Sequence, residues 1–165
     1  MAAKGILIGL GNPIMSDDGV GLWVSREIHK RLPDFDLDLS CGAGFQVLDS
    51  ILGYPVAIIV DSMVTGRFSP GTVLRLDIES GLETLRSGHS HGLNFVEAIE
   101  VAMSCNAAVP GTVVIYGIEV EDPHTLGQEI SQVLEEKLNT IVEQIVEDIS
   151  HIGMDRCTNS ESPPK

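Results

Sequence analysis

Two adjacent carboxylates stand in a glycine-rich stretch near the start of this 165-residue chain. The stretch, Gly9–Gly21, overlaps the end of an apolar run typical of a buried strand and leads into apolar residues at helical spacing from Val20 onward. It therefore predicts a tight turn from a strand into a helix, where glycines allow sharp backbone angles. Asp17 and Asp18 lie in that turn, so one of them can cap the helix at the positive end of its dipole. A carboxylate at the mouth of a parallel sheet is also well placed to bind a cation.

The same stretch does not fit a dinucleotide-binding turn. That pattern, G-x-G-x-x-G, is matched by Gly9 and Gly11, but Ile14 stands where the third glycine is needed. Pro13 offers no N–H to a phosphate, and the two carboxylates would repel one. The glycines therefore indicate a tight turn rather than a nucleotide site.

Further side chains able to bind a metal follow later strands and loops. Asp61 comes directly after the β-branched run Val56–Val60, where it can be either a metal ligand or a turn former. The loop before the next helix carries His89 and His91 between glycines, and we expect one of these imidazoles to reach the same edge of the sheet. Two carboxylates and an imidazole suit nickel, zinc or manganese, with positions left open for water or substrate.

Strand and helix patterns alternate along the chain, which predicts the layers that position these residues. Strands are predicted at 4–10, 35–39, 56–60, 72–78 and 112–120, and helices at 18–31, 46–52, 92–103 and 123–149, with a polar loop at 79–91. Trp23 is expected on the buried face of the first helix. The pattern predicts a three-layer α/β/α sandwich whose mainly parallel, mixed central sheet has about five strands. We expect one α/β domain over residues 1–152 and a disordered tail over 153–165.

Composition excludes several classes of function. Ten basic and 24 acidic residues give a net charge of −14, which disfavours nucleic acid as a partner. No apolar run is long enough to span a membrane, and the first residues lack a secretory leader pattern, so we expect a cytoplasmic protein. The three cysteines include no C-x-x-C pair, so a thiolate zinc site is not expected.

Taken in order, these motifs resemble the hydrogenase maturation proteases. The resemblance rests on Gly9-Leu10-Gly11-Asn12 with Asp17-Asp18-Gly19, on the strand ending in Asp61-Ser62, and on the loop His89 to Leu93. It covers roughly residues 4 to 150 and implies an endopeptidase domain. Members of this family remove a short C-terminal extension from the large-subunit precursor of nickel–iron hydrogenases after nickel has been inserted.

The resemblance also implies roles for individual residues. Asp18, Asp61 and His89 correspond to the family's three metal ligands, with His91 as an extra imidazole nearby. These ligands would recognise nickel already seated in the precursor. The loop 42–44 resembles a family segment that shapes the substrate cleft.

Two other functions start from the same residues. A nickel-recognising maturation chaperone would hold the precursor without cutting it. Peptidyl-tRNA hydrolases share the opening Gly9–Pro13 but continue with a Tyr-x-x-Thr-Arg-His-Asn segment, and this chain has no Arg-His-Asn. The acidic charge also disfavours a tRNA substrate.

Overall fold

A computed structural model describes residues 3–41, 45–77, 92–127 and 129–152 of the chain. Strands and helices alternate through these ranges, and a short 3₁₀ helix (Ser16–Gly19) links the first strand to the first helix. The strands are β1 (Gly5–Leu10), β2 (Phe35–Ser40), β3 (Val56–Met63), β4 (Val73–Asp77) and β5 (Thr112–Glu119). The helices are α1 (Val20–Arg31), α2 (Phe45–Ile51), α3 (Gly92–Ser104) and α4 (Gln132–Ile152).

The described strands form one five-stranded sheet in the order β2-β1-β3-β5-β4. Only β4 runs antiparallel to its neighbour, so the prediction of a mainly parallel, mixed sheet is confirmed. β1 and β3 are direct neighbours, with Gly9 opposite Val60. The carboxyl ends of these two strands therefore lie at the same edge of the sheet, where ligands of such folds bind.

Helices cover both faces of the sheet, as the alternating pattern predicts. On one face, Leu7 and Ile58 pack with α1 and α4. On the other, Ile8 and Ile59 pack with α2 and α3. Because side chains alternate between the faces of a strand, the buried runs of β1 and β3 supply both cores at once. No helix in the described part of the chain has the length and apolar character needed to cross a membrane.

Three sequence predictions are corrected by the structure. β3 does not stop before Asp61 but continues through Met63, because β5 pairs with it as far as Glu119. The last helix begins at Gln132 rather than at residue 123, because the preceding residues bond to the opening motif instead. Trp23 is 41% exposed, because α1 meets the sheet through Gly21, Ser25 and aliphatic side chains rather than through its indole.

Candidate metal-recognition site

Close packing of α1 on the sheet brings the opening motif to the carboxyl ends of β1 and β3. A Cβ at Gly21 would lie 2.6 Å from the carbonyl oxygen of Val60 and closer still to that of Leu10. Gly11 has φ of +142° and rests against the backbone carbonyl of Asp18, where a side chain would collide. The glycines therefore allow the backbone of the opening motif and of α1 to approach the neighbouring backbone closely, and this approach places Asp18 beside the end of β3.

Two hydrogen bonds from separate parts of the chain hold the Asp18 carboxylate. The backbone N–H of Asn12 donates to Oδ2 at 2.8 Å, and the hydroxyl of Ser62 donates to Oδ1 at 2.9 Å. Asp18 itself lies in the 3₁₀ helix and is only partly buried. Because a carboxylate oxygen has two lone pairs, each oxygen keeps acceptor capacity beyond the bond described.

Asp61 and Ser62 leave β3 on opposite faces of the sheet. Val60 lies in the core under α1 and α4, and Ile59 in the core under α2 and α3, so alternation assigns Ser62 to the first face and Asp61 to the second. The Asp61 carboxylate nevertheless turns toward its neighbour, since Oδ1 accepts the N–H of Ser62 at 2.9 Å. Ser62 thus donates to Asp61 and Asp18 at once and links the two carboxylates at one edge of the sheet.

Asp17 has a different position from Asp18, and the capping prediction for α1 was wrong. The N-cap of α1 is Gly19, and no side chain caps either α1 or the 3₁₀ helix. Asp17 is fully buried, and its Oδ1 accepts the N–H of Ser131 at 2.7 Å, at the start of α4. Its Oδ2 has no hydrogen-bond partner in the described ranges. Asp17 therefore ties the opening motif to a distant helix.

The connection between β5 and α4 (residues 120–127 and 129–131) lies against the opening motif. The N–H of Ser16 donates to the carbonyl of Gly127 at 2.8 Å, and the N–H of Gly127 donates to the carbonyl of Ile14 at 3.0 Å. The hydroxyl of Ser16 also donates to the carbonyl of Glu129 at 3.1 Å. The loop that carries Asp18 is therefore fixed on two sides, by the sheet and by this connection.

A local turn begins the connection. The carboxylate of Asp122 accepts the N–H groups of His124 and Thr125 at 3.1 and 3.0 Å, and it also accepts the hydroxyl of Thr125. These bonds, chiefly the one from the Thr125 hydroxyl, lower the pKa of Asp122 below its usual 3.8. A turn of this kind competes with helix formation, which explains why α4 begins later than its sequence pattern predicts.

Glu119 fixes the chain that follows β3. Its carboxylate is almost fully buried and accepts the N–H groups of Thr65 and Gly66 at 2.9 and 2.8 Å and the hydroxyl of Thr65 at 2.7 Å. Because Glu119 lies opposite Met63 in the sheet, these bonds hold the chain just beyond Asp61. Neither Ser62 nor Glu119 was predicted as part of the site. A polar residue directly after a strand-end carboxylate was the available signal for Ser62.

The described residues supply only part of the predicted ligand set. Among them, no group of three His, Cys, Asp or Glu side chains is arranged to hold a metal ion. His89 and His91 lie outside the described residues, as do the loop 42–44 and the predicted tail. Two of the predicted donors, the carboxylates of Asp18 and Asp61, lie among the described residues at one edge of the sheet, and carboxylate oxygens are a ligand type that divalent cations accept.

Comparison with known proteins adds a family and a fold. A family model described as hydrogenase maturation protease, HycI, matches residues 40–148. The hydrogenase maturating endopeptidase HybD from Escherichia coli has a TM-score of 0.73 at 20% identity, over 90% of this chain and 93% of its own. The [NiFe] hydrogenase maturation protease HybD from Thermococcus kodakarensis has a TM-score of 0.69 at 23% identity, over 87% of this chain and 97% of its own.

A third structure, the [NiFe] hydrogenase maturation protease HycI from Thermococcus kodakarensis KOD1, has a TM-score of 0.62 at 23% identity, over 87% of this chain and 91% of its own. At these identities the similarity to solved structures establishes the fold, and the match to the family model establishes membership of the family. No curated protein sequence matches the chain.

Proposed function

This chain belongs to the hydrogenase maturation protease family and is an endopeptidase, and we propose that it removes the C-terminal extension from a nickel-loaded hydrogenase large subunit. In this proposal nickel is part of the substrate, and the protein recognises the bound nickel before the peptide bond is cut. Asp18, Asp61 and His89 are the proposed ligands, with His91 as the alternative imidazole.

The observation that carries the proposal is the linked pair of carboxylates at the carboxyl edge of the sheet. Asp18 and Asp61 come from sequence positions far apart, yet both accept hydrogen bonds from Ser62. A pair of anionic oxygen donors held at a sheet edge favours a divalent cation over a phosphate or a carboxylate. The net charge of −14 acts in the same direction and disfavours a tRNA substrate.

The reaction is hydrolysis of an amide. Water oxygen adds to the carbonyl carbon of the scissile bond, the water gives up a proton, and the amine leaves after accepting one. Asp18 or Asp61 can take the proton as a general base, because a carboxylate with a spare lone pair can hold a water molecule. A divalent ion held nearby would supply a second route, since it would lower the pKa of water bound to it far below that of bulk water.

The experiment compares nickel-loaded with nickel-free precursor, each incubated with the protein and resolved by mass. Wild type should shorten only the nickel-loaded form. Asp18→Asn, Asp61→Asn and His89→Ala should each abolish the cut while keeping the fold, and His91→Ala tests the other imidazole.

Asp17→Asn is the matched control for Asp18→Asn. It changes the adjacent carboxylate, whose Oδ1 bonds to Ser131 rather than to Ser62, so cleavage should persist. Full cleavage by the Asp18, Asp61 and His89 variants together would refute the ligand set. Binding of the precursor without any mass change would favour a chaperone that holds nickel-loaded precursor without cutting it.

We further propose that the protein works in the cytoplasm. Cys41 and Cys105 are free, exposed thiols, which is typical of a reducing compartment. Fractionation of cells that carry the protein checks this, and recovery in an oxidising compartment would contradict it.

A further inference from the structure

Ser62 stands between the two proposed ligands and bonds to both. Its hydroxyl donates to Oδ1 of Asp18 at 2.9 Å, and its backbone N–H donates to Oδ1 of Asp61 at 2.9 Å. Ser62 is 7% exposed, so these donors work in surroundings with little competing water. In such surroundings a hydrogen bond to a charged group is stronger than the same bond in water.

The two bonds of Ser62 differ in what they depend on. The bond to Asp61 uses the backbone and forms with any residue at this position other than proline. The bond to Asp18 needs a side-chain hydroxyl, so it depends on the residue being serine or threonine. The hydroxyl therefore fixes the Asp18 carboxylate relative to the strand that carries Asp61.

The Asp18 carboxylate needs such a partner because of where it lies. It projects from a 3₁₀ helix, and its other described bond, from the N–H of Asn12, comes from its own loop. One bond from the loop leaves the side chain able to rotate with the loop, whereas a second bond from β3 ties the carboxylate to the sheet. Two donors on two different oxygens also fix the plane of the carboxylate.

We propose that Ser62 is the positioning residue of this site, and that its hydroxyl holds Asp18 in the orientation that binds nickel. This inference rests on the proposed function, because it assumes that Asp18 and Asp61 are ligands. Partners that orient metal ligands in this way commonly contribute 10–100-fold to metal affinity.

The test measures Ni²⁺ binding to the full chain, with Ni²⁺ added alone in competition with a coloured chelator. Ser62→Ala should weaken binding about 10–100-fold. Ser62→Thr keeps the hydroxyl and should restore most of the affinity. A role in stability alone would not require the hydroxyl, so the rescue by threonine separates positioning from general support of the fold.

Ser25→Ala is the matched control. Ser25 is fully buried in α1, and its hydroxyl has no hydrogen-bond partner in the described ranges. Loss of this hydroxyl should leave Ni²⁺ affinity unchanged. Urea unfolding of all variants shows whether each is folded under the conditions of the binding measurement.

A double variant shows whether Ser62 acts through Asp18. If it does, Ser62→Ala should cause no further loss of affinity in an Asp18→Asn background, because the two changes remove the same interaction. Wild-type affinity in folded Ser62→Ala, with binding lost in Asp18→Asn, would overturn the role of Ser62 and leave the ligand set intact. Wild-type affinity in Asp18→Asn would overturn the ligand set and this inference with it. Absence of Ni²⁺ binding by wild type would overturn this inference alone, since recognition of nickel inside the precursor does not require affinity for the free ion.

Discussion

Replacement of Gly21 by alanine should loosen the joint between α1 and the sheet. The new Cβ would lie 2.6 Å from the carbonyl oxygen of Val60 and closer to that of Leu10, whereas real Cβ contacts essentially never fall under 3.0 Å. Both neighbours are backbone atoms of the internal strands β1 and β3, so the helix is the part that must withdraw. It has to move by at least about 0.4 Å from Val60 and further from Leu10, in an interior packed at crystal-like density.

Two opposing free energies decide the size of the effect. Alanine is favoured over glycine inside a helix by about 1 kcal/mol. Overpacking of a tight contact costs about 1–3 kcal/mol and occasionally more. Since the clash here involves two fixed carbonyl groups, we expect a packing cost of about 2–3 kcal/mol, so after the helix gain the free energy of unfolding should fall by about 1–2 kcal/mol.

The same movement should impair cleavage more than stability. Asp18 lies three residues before Gly21, so withdrawal of α1 carries it away from Ser62 and Asp61. A misplacement approaching 1 Å at a reacting site can cost about 100-fold in rate. We therefore expect cleavage of nickel-loaded precursor to fall by a factor of 10–100 in a variant that remains folded.

The assay pairs urea unfolding with cleavage kinetics, and Gly19→Ala is the control. A Cβ at Gly19 would meet its nearest atom, the carbonyl oxygen of Asn12, at 3.4 Å, which is an ordinary contact. For slopes of about 1–3 kcal/mol/M, Gly21→Ala should lower the urea midpoint by about 0.3–2 M, whereas Gly19→Ala should leave it nearly unchanged. Equal midpoints for Gly21→Ala and wild type, or a larger loss in Gly19→Ala, would refute the packing argument.

Three further predictions concern the carboxylates around the site. Asp17→Ala should lower the free energy of unfolding by about 1–3 kcal/mol, because it leaves the N–H of Ser131 without its acceptor. Asp17→Asn keeps an acceptor oxygen and should lower the free energy of unfolding by less. Equal losses of stability in the two variants would contradict the role of that bond. The carboxylate of Glu119 accepts the N–H of Thr65, so Glu119→Ala should speed amide hydrogen exchange at Thr65. Unchanged exchange would contradict the role of Glu119 in fixing this part of the chain. The carboxyl of Asp122 should titrate by NMR below its usual pKa of 3.8, since the hydroxyl of Thr125 bonds to the charged form. A group whose pKa is lower in the folded state adds stability above its unfolded pKa, and this stability is lost as the pH falls through the folded pKa. The Asp122 turn should therefore weaken only in acid. A titration midpoint of the Asp122 carboxyl at or above 3.8 would contradict this.

Much of the fold could be predicted from the sequence because its signals are local. The continuous β-branched run of β3 marks a central strand, and glycines bracket the turn into α1. The neighbouring positions of β1 and β3 then follow from the rules for parallel sheets, and this was sufficient to place Asp18 and Asp61 at one edge.

The errors arose where distant residues compete for the same backbone. The pattern of α4 extends back to residue 123, but Asp122 turns the chain and Ser16 bonds to Gly127, so the described residues between 123 and Gln132 are not helical. Periodicity alone contains no information about such partners.

The misassignment of Trp23 has another cause. Apolar spacing placed Trp23 on the buried face, but that face combines aliphatic side chains such as Val24 and Ile28 with Gly21 and Ser25, which are small enough to allow close contact. The indole is left at the surface, where the guanidinium of Arg26 lies 5.8 Å from its ring centre. Small residues that permit close approach are invisible to a scale that counts only hydrophobicity.

The bonds between the opening motif and the β5–α4 connection impose an order on biosynthesis. Asp18 leaves the ribosome early, but Ser131, which anchors the adjacent Asp17, is made more than a hundred residues later. Until then the loop has only half of its supports, and the nascent polypeptide cannot hold its carboxylates in their final arrangement. The opening motif therefore reaches its final arrangement only after the chain has been made as far as Ser131.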